Sequence, residues 1–130
     1  MPSDFLSLAH DRVLILDGGM GTSLHRYKPS DRDWGFSPNG KSLLNLSDAL
    51  VYTHPEWIAE IHRGFFEAGC DGIETNTFNA TQLVLEEFGM GDKLEEINRQ
   101  NIKKYLKKHF SAGTNPDMRT MGFQKESINN

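Results

Sequence analysis

The sequence predicts an α/β fold that forms the first part of a larger α/β barrel, and three observations lead to this class. Residues 13–16 are continuously apolar, which is typical of a parallel strand covered on both faces. A helical pattern follows at 53–68, and the β-prone segment 71–78 comes directly after it. This order predicts a parallel pair of strands, since a crossover of such length joins parallel neighbours. Two strands leave open edges, so we expect further strands or self-association to complete the sheet.

The helix at 53–68 is the clearest element. Thr53 and Glu56 have the spacing of a capping box, and Pro55 suits the first turn. Gly69 is placed to end the helix in the left-handed region. The predicted buried stripe has three- and four-residue spacing and comprises Trp57, Ile58, Ile61, Phe65 and Ala68.

The remaining elements follow from apolar spacing and turn residues. The segment 25–52 is predicted to be irregular, since it is rich in proline, glycine and small polar residues. Two further helices are predicted at 80–88 and 92–110, separated by glycines. The tail, 111–130, has no periodicity and is predicted to be irregular or disordered. The chain is therefore divided into a partial barrel domain, 1–110, and this tail.

Composition and charge narrow the function classes. The 130 residues carry a formal net charge of −4, which does not suit nucleic acid as a general partner. No apolar run approaches the ~18–20 residues that a membrane span needs, so no membrane partner is expected. The single cysteine, Cys70, excludes an intramolecular disulfide framework and favours a reducing compartment. These features predict a cytoplasmic protein, in which Cys70 is a buried small residue.

Two motifs together resemble a known family. "LILDGGMGTSL" at 14–24 and "LLNLSDALVYTHPEWIAEIHRGFFEAGCDGIETNTFNAT" at 43–81 are similar to the opening of the homocysteine S-methyltransferase domain, which binds homocysteine in cobalamin-dependent methionine synthases. The resemblance runs over about residues 12–106. It implies a (β/α)8 TIM-type barrel, of which this chain holds the N-terminal part with two parallel strands and flanking helices. It also implies methyl transfer to homocysteine, giving methionine.

The resemblance further implies cofactors. In the complete domain, zinc binds the homocysteine sulfur through three cysteines near later strands. This sequence lacks those motifs, so we predict no metal ligand and no catalytic residue in it. Methylcobalamin and methyltetrahydrofolate are expected in later domains of a full-length enzyme. Two alternatives stay open: a catalytically incomplete fragment without activity of its own, and a cobalamin-independent homocysteine methyltransferase with another methyl donor.

A substrate site is predicted where the two strands end, because barrel chemistry lies at the C-terminal ends of strands. Asp17 is placed to accept hydrogen bonds from the homocysteine ammonium. The glycines that follow it let backbone N–H groups approach the substrate carboxylate, since no Cβ intervenes. An acidic residue followed by glycines with accessible backbone N–H groups therefore suits the binding of a zwitterionic amino acid. The predicted substrate-binding residues are Asp17, Gly18, Gly19, Met20, Gly21, Glu74, Asn76 and Thr77.

Structural roles compete with these interpretations. "DGGMGT" is also compatible with a tight turn after a strand, and Glu74 with a structural carboxylate at a strand end. Asn76 and Thr77 are also able to hydrogen-bond the loop backbone. The motif lacks the Gly-Lys-Ser/Thr of a phosphate-binding loop, and no helix is expected at its third glycine, which argues against a dinucleotide fingerprint. His54 and His62 have no Cys or His partner at metal spacing, so surface or packing roles are predicted for them.

Overall fold

The computed structural model of the chain describes residues 5–110 and 119–120, with side chains over 6–102. Its helices, in chain order, are α1 (Phe5–Asp11), α2 (Met20–His25), α3 (Asp31–Trp34), α4 (Leu50–Thr53), α5 (Pro55–Glu67), α6 (Gln82–Glu87) and α7 (Leu94–Phe110). Its 3₁₀ turns lie at Ser47–Ala49 and Gly91–Lys93, and its strands are β1 (Gly72–Ile73) and β2 (Arg119–Thr120). Of the predicted tail, 111–118 and 121–130 lie outside the described residues. Among the described residues, no helix is both long enough and apolar enough to cross a membrane.

The strand pairing is short and parallel. β1 pairs with β2, with Gly72 opposite Arg119 and Ile73 opposite Thr120. Leu16 adds one isolated parallel bridge to Gly72. Three segments that are distant in sequence therefore meet at Gly72, and the end of the first predicted strand lies next to the end of β1.

The first predicted strand, residues 13–16, forms a single isolated β-bridge instead of a strand. The prediction that both of its faces are covered is also wrong. Val13 is 85% exposed and Ile15 is 61% exposed. Asp71 holds this segment: its N–H donates to the Ile15 carbonyl at 2.7 Å, and its carboxylate accepts the Ile15 N–H at 2.9 Å. A side chain thus takes the place of a strand partner. The second predicted strand, 71–78, shortens to β1.

Local sequence explains the ends of α5, with one exception. Proline occupies its first turn, and Gly69 after its last turn has a φ of 103°, as predicted. The predicted capping box is wrong, because His54 is the N-cap residue and makes no side-chain cap bond. The Thr53 hydroxyl instead donates to a carbonyl of α3 at 2.6 Å. Glu56 Oε1 lies 2.6 Å from His54 Nδ1, so the carboxylate faces the imidazole and not the N-cap backbone.

The segment 25–52, predicted to be irregular, carries α3, a 3₁₀ turn and α4. Ser30 caps α3, since its N–H and hydroxyl both contact Asp33 Oδ2 at 2.7 Å. Leu46 and Leu50 are fully buried. Tertiary packing therefore orders a segment whose sequence has no clear period.

Over residues 6–102, buried apolar side chains form three clusters. One joins α2, α3, α4 and α5, and another joins residues 43–49 to α6 and the first turns of α7. The third packs Phe66 of α5 against Ile73 of β1. Of the predicted α5 stripe, Ile58 and Ile61 are buried and two aromatic residues are partly buried, whereas Ala68 is exposed. Helix α5 thus connects β1 with the cluster that joins α2 to α5, called here the α2 cluster. The middle turns of α5 therefore lie beside the predicted substrate site.

Candidate functional site

Asp17 links the two segments that the sequence predicts to form the site. Its N–H donates to the Gly72 carbonyl at 3.1 Å, directly after the bridge at Leu16. Its Oδ1 accepts the Glu74 N–H at 2.9 Å. Because the Asp17 side chain is only 6% exposed, the carboxylate lies between these backbones and not in open solvent. The structure therefore brings together Asp17 and Glu74, as expected for residues at neighbouring strand ends.

The side chain of His62 faces this carboxylate. Its Nδ1 lies 3.6 Å from Asp17 Oδ2, and its side chain is 1% exposed in the middle of α5. The sequence predicts a surface or packing role for His62, and the structure buries it against an acid. The sequence contains a signal for this burial, because His62 lies four residues after Ile58 and four before Phe66, both of which are buried on the same face of the helix.

The glycine motif turns the chain from Asp17 into α2. Gly19 has a φ of 56° and is the N-cap residue of α2, which begins at Met20. The expectation that no helix opens at this motif is wrong, because the Ser23 N–H bonds the Gly19 carbonyl at 2.9 Å and closes a short helix of six residues. The Met20 side chain packs partly buried against the α2 cluster. Its position in the structure is that of a packing residue.

Open space surrounds the glycines of the motif. At Gly18, Gly19 and Gly21, an added Cβ would meet no described heavy atom within 4 Å, apart from the adjoining backbone. Only Gly19 needs glycine for its φ. Crowding within the described part of the chain therefore does not account for the other two glycines.

The loop 74–80 follows β1 and is held at several points. Asn76 is buried and donates from Nδ2 to the Ser47 carbonyl at 2.8 Å, so its amide holds the loop. The hydroxyls of Thr75 and Thr77 are 2.7 Å apart. Glu74 is exposed beside Asp17. The Nδ2 of Asn76 therefore ties the loop to the 3₁₀ turn Ser47–Ala49, while Glu74 is exposed and Thr77 is partly buried. The substrate-binding roles of these three residues stay predictions.

The described residues do not fit the zinc that the resemblance implies. Within 6–102, no group of three or more His, Cys, Asp or Glu residues could hold a metal ion. Cys70 is half-buried against Phe66 and Ile73. Burial, followed by the negative charge of Asp17, raises the pKa of the Cys70 thiol, which disfavours the thiolate that zinc requires.

A surface groove between α2 and α5 lies apart from these residues. It is lined by Arg26, Tyr27, Glu60 and Phe65 among others, and it contains none of the predicted substrate-binding residues. The candidate site is therefore defined by the hydrogen bonds around Asp17 and not by this groove.

The chain matches a model of a known protein family. The model of the family described as homocysteine S-methyltransferase matches residues 14–117 of the chain. The matched region contains the glycine motif, α5 and the loop 74–80, which together form the candidate site.

Proposed function

We propose that this chain, which belongs to the homocysteine S-methyltransferase family, binds homocysteine beside Asp17 for transfer of a methyl group to its sulfur. The family binds homocysteine as substrate, and its reaction is methyl transfer to that substrate. The observation that carries the proposal is the position of the Asp17 carboxylate, 2.9 Å from the Glu74 nitrogen and 3.6 Å from His62 Nδ1. One carboxylate is thus hydrogen-bonded to a loop and lies beside a buried helix residue.

The site chemistry suits an amino acid. A carboxylate accepts up to about four hydrogen bonds, so Asp17 retains acceptor capacity for an ammonium beside its bond to Glu74. The exposed Glu74 adds a second negative charge. Open space over Gly18 and Gly21 leaves their backbone accessible to a substrate carboxylate. These residues bind and orient homocysteine, while zinc, when bound by other residues, would lower the pKa of the homocysteine thiol and so favour its thiolate.

Within this family, we propose that the chain is part of an enzyme of the methionine synthase type, in which methylcobalamin and methyltetrahydrofolate bind to other domains. The sequence "ETNTFN" of the loop after β1 supports this assignment. The parallel bridge between Leu16 and Gly72 supports the first part of a (β/α)8 barrel. A cobalamin-independent enzyme of the same family, using another methyl donor, is the alternative that these residues leave open.

Two observations favour a second candidate, a chain that is catalytically incomplete by itself. The described side chains provide no metal cluster, and Val13 and Ile15 expose an apolar edge next to β1. In this case, the chain supplies the Asp17 part of a homocysteine site, and another polypeptide segment supplies the zinc ligands.

Titration calorimetry on the full chain tests the proposal with two ligands. We expect L-homocysteine to bind, and 4-mercaptobutanoate, which lacks only the ammonium, to bind about 10- to 100-fold more weakly, because a charge-assisted contact contributes roughly 1.5–3 kcal/mol. The exposed Glu67 provides a matched control, and Glu67→Gln should bind both ligands as the unsubstituted chain does. Absence of homocysteine binding, or equal affinity for the two ligands, would contradict the proposal.

A further inference from the structure

A buried acid lies next to the loop that follows β1. Asp48 is in the 3₁₀ turn Ser47–Ala49 and is 1% exposed. Its neighbours Leu46 and Ala49 belong to the apolar cluster that includes residues of α6 and α7. Carboxylates are seldom buried in such surroundings unless they make specific hydrogen bonds. The hydrogen bonds of Asp48 therefore indicate its role in the structure.

Asp48 bonds the backbone of the loop. Its Oδ1 accepts the Asn79 N–H at 3.0 Å, whereas its Oδ2 is buried and has no hydrogen-bond partner among the described residues. The preceding residue contributes as well, since the Ser47 carbonyl accepts from Asn76 Nδ2 at 2.8 Å. Two consecutive residues of one turn thus hold both Asn76 and Asn79.

Helix α7 holds Asp48 and the end of the loop in turn. Asn101 is buried and donates from Nδ2 to the Asp48 carbonyl at 3.1 Å. Asn98 is also buried and donates to the Ala80 carbonyl at 3.2 Å. The two asparagines are three residues apart and lie on the same side of the helix. The loop therefore has an anchored C-terminal end that does not depend on the substrate residues themselves.

The other end of the loop is anchored by Asp17, through the Glu74 N–H. Between the two anchors lie Thr75 and Thr77, whose hydroxyls are 2.7 Å apart. A displacement at Asn79 would be transmitted over only two residues to Thr77. Substrate-positioning groups lose effect when they move by about 1 Å, so such an anchor bears on binding.

We propose that Asp48 is a positioning residue for homocysteine, which fixes the loop at Asn79 and thereby sets the position of Thr77 relative to the Asp17–Glu74 anchor. This inference rests on the proposed function. Asp48 does not contact the substrate. Its carboxylate is needed as a hydrogen-bond acceptor at Oδ1, so an asparagine in its place should serve nearly as well.

The test compares homocysteine affinity in three variants of the full chain, at a temperature where thermal melts show each to be folded. Asp48→Ala removes the acceptor and should weaken L-homocysteine binding by about tenfold or more. Asp48→Asn keeps an acceptor and should bind within about threefold of the unsubstituted chain. Ser37→Ala is the matched control, because Ser37 is a buried polar residue that accepts the Lys41 N–H in another segment. It should lower the melting temperature and leave affinity unchanged.

Hydrogen exchange of the peptide spanning 76–81 provides a second readout and should accelerate in Asp48→Ala only. If Asp48→Ala does not fold, Asp48→Ser, whose hydroxyl is too short to reach Asn79, takes its place in both measurements. Unchanged homocysteine affinity in the folded variant would overturn the role of Asp48 while leaving the proposed function intact. Absence of homocysteine binding by the unsubstituted chain would overturn both.

Discussion

The N–H of Glu74 donates to Oδ1 of Asp17 at 2.9 Å, although the two residues are 57 positions apart in the chain. This bond joins the turn after the first predicted strand to the loop after β1. The second carboxylate oxygen, Oδ2, faces His62 and lies 3.6 Å from its Nδ1. The carboxylate is thus both a structural acceptor and the candidate acceptor for the homocysteine ammonium. Substitution can separate these two roles.

Asp17→Asn should raise the dissociation constant for L-homocysteine by about 10- to 100-fold, because it removes the charge and keeps an acceptor for Glu74. It should leave the weaker affinity for 4-mercaptobutanoate nearly unchanged. Titration calorimetry and thermal melts of both forms measure this. A lowered melting temperature with unchanged homocysteine affinity would show that Asp17 serves only as the structural acceptor for the Glu74 N–H.

His62→Ala should lower the free energy of unfolding by about 2–4 kcal/mol, since it leaves a cavity in α5 at a side chain that is 1% exposed. Denaturant unfolding measures the loss. The control is His10→Ala in α1, where the residue is exposed and the change should stay within about 0.5 kcal/mol. Equal effects of the two substitutions would show that His62 is not packed as described.

Asp48→Asn should flatten the pH dependence of stability. Burial raises the pKa of Asp48 from 3.8 to about 6, with hydrogen bonds from its own backbone and from Asn79 and Ala80 opposing part of the rise. Because the folded state binds this proton more tightly, Asp48 favours folding below about pH 4, and that contribution is lost as the pH rises through about 6. The difference in unfolding free energy between the two forms should change by about 1–3 kcal/mol between pH 4 and pH 7.5. A constant difference would contradict the raised pKa.

His54 should titrate above its ordinary value in an NMR pH titration. Burial by itself lowers the pKa of His54, but hydrogen bonds to Glu56 and Asp33, at 2.6 and 2.7 Å, outweigh it and raise the pKa above 6.5. The contribution of His54 to stability is therefore present below about pH 6.5 and lost as the pH rises through the raised pKa. Glu56→Gln should lower the titration midpoint, and Glu67→Gln should not. A midpoint below 6.5 in the unsubstituted chain would show that burial dominates.

Val13→Lys should reduce self-association of the chain. Val13 is 85% exposed in the apolar segment that bridges to β1, and an open apolar edge favours pairing with a second copy. Light scattering after size-exclusion chromatography measures the mass as concentration rises. Leu83→Lys is the matched control, since Leu83 is 73% exposed and belongs to α6 and not to the segment 13–16. A monomeric unsubstituted chain at all concentrations would exclude the edge as an association surface.

The sequence by itself determined the elements whose signals are local. Helix α5 begins at a proline and ends before Gly69, because both conformational preferences belong to single residues. Helices α6 and α7 lie within two residues of the predicted bounds at each end. The proximity of Asp17 to Glu74 also followed from sequence, since residues at the ends of neighbouring parallel strands meet at one edge.

Only the tertiary structure decided the strand lengths, the caps and the buried polar residues. Strand pairing depends on partners far away in the chain, so the segment 13–16 became one bridge once Asp71 took up its backbone groups. The ring of His54, the N-cap residue of α5, lies between Asp33 and Glu56, an arrangement that requires α3 to pack nearby. The burial of charged or polar groups depends on what surrounds them in space. Sequence spacing therefore did not reveal that His62 faces Asp17 or that Asp48 holds the loop.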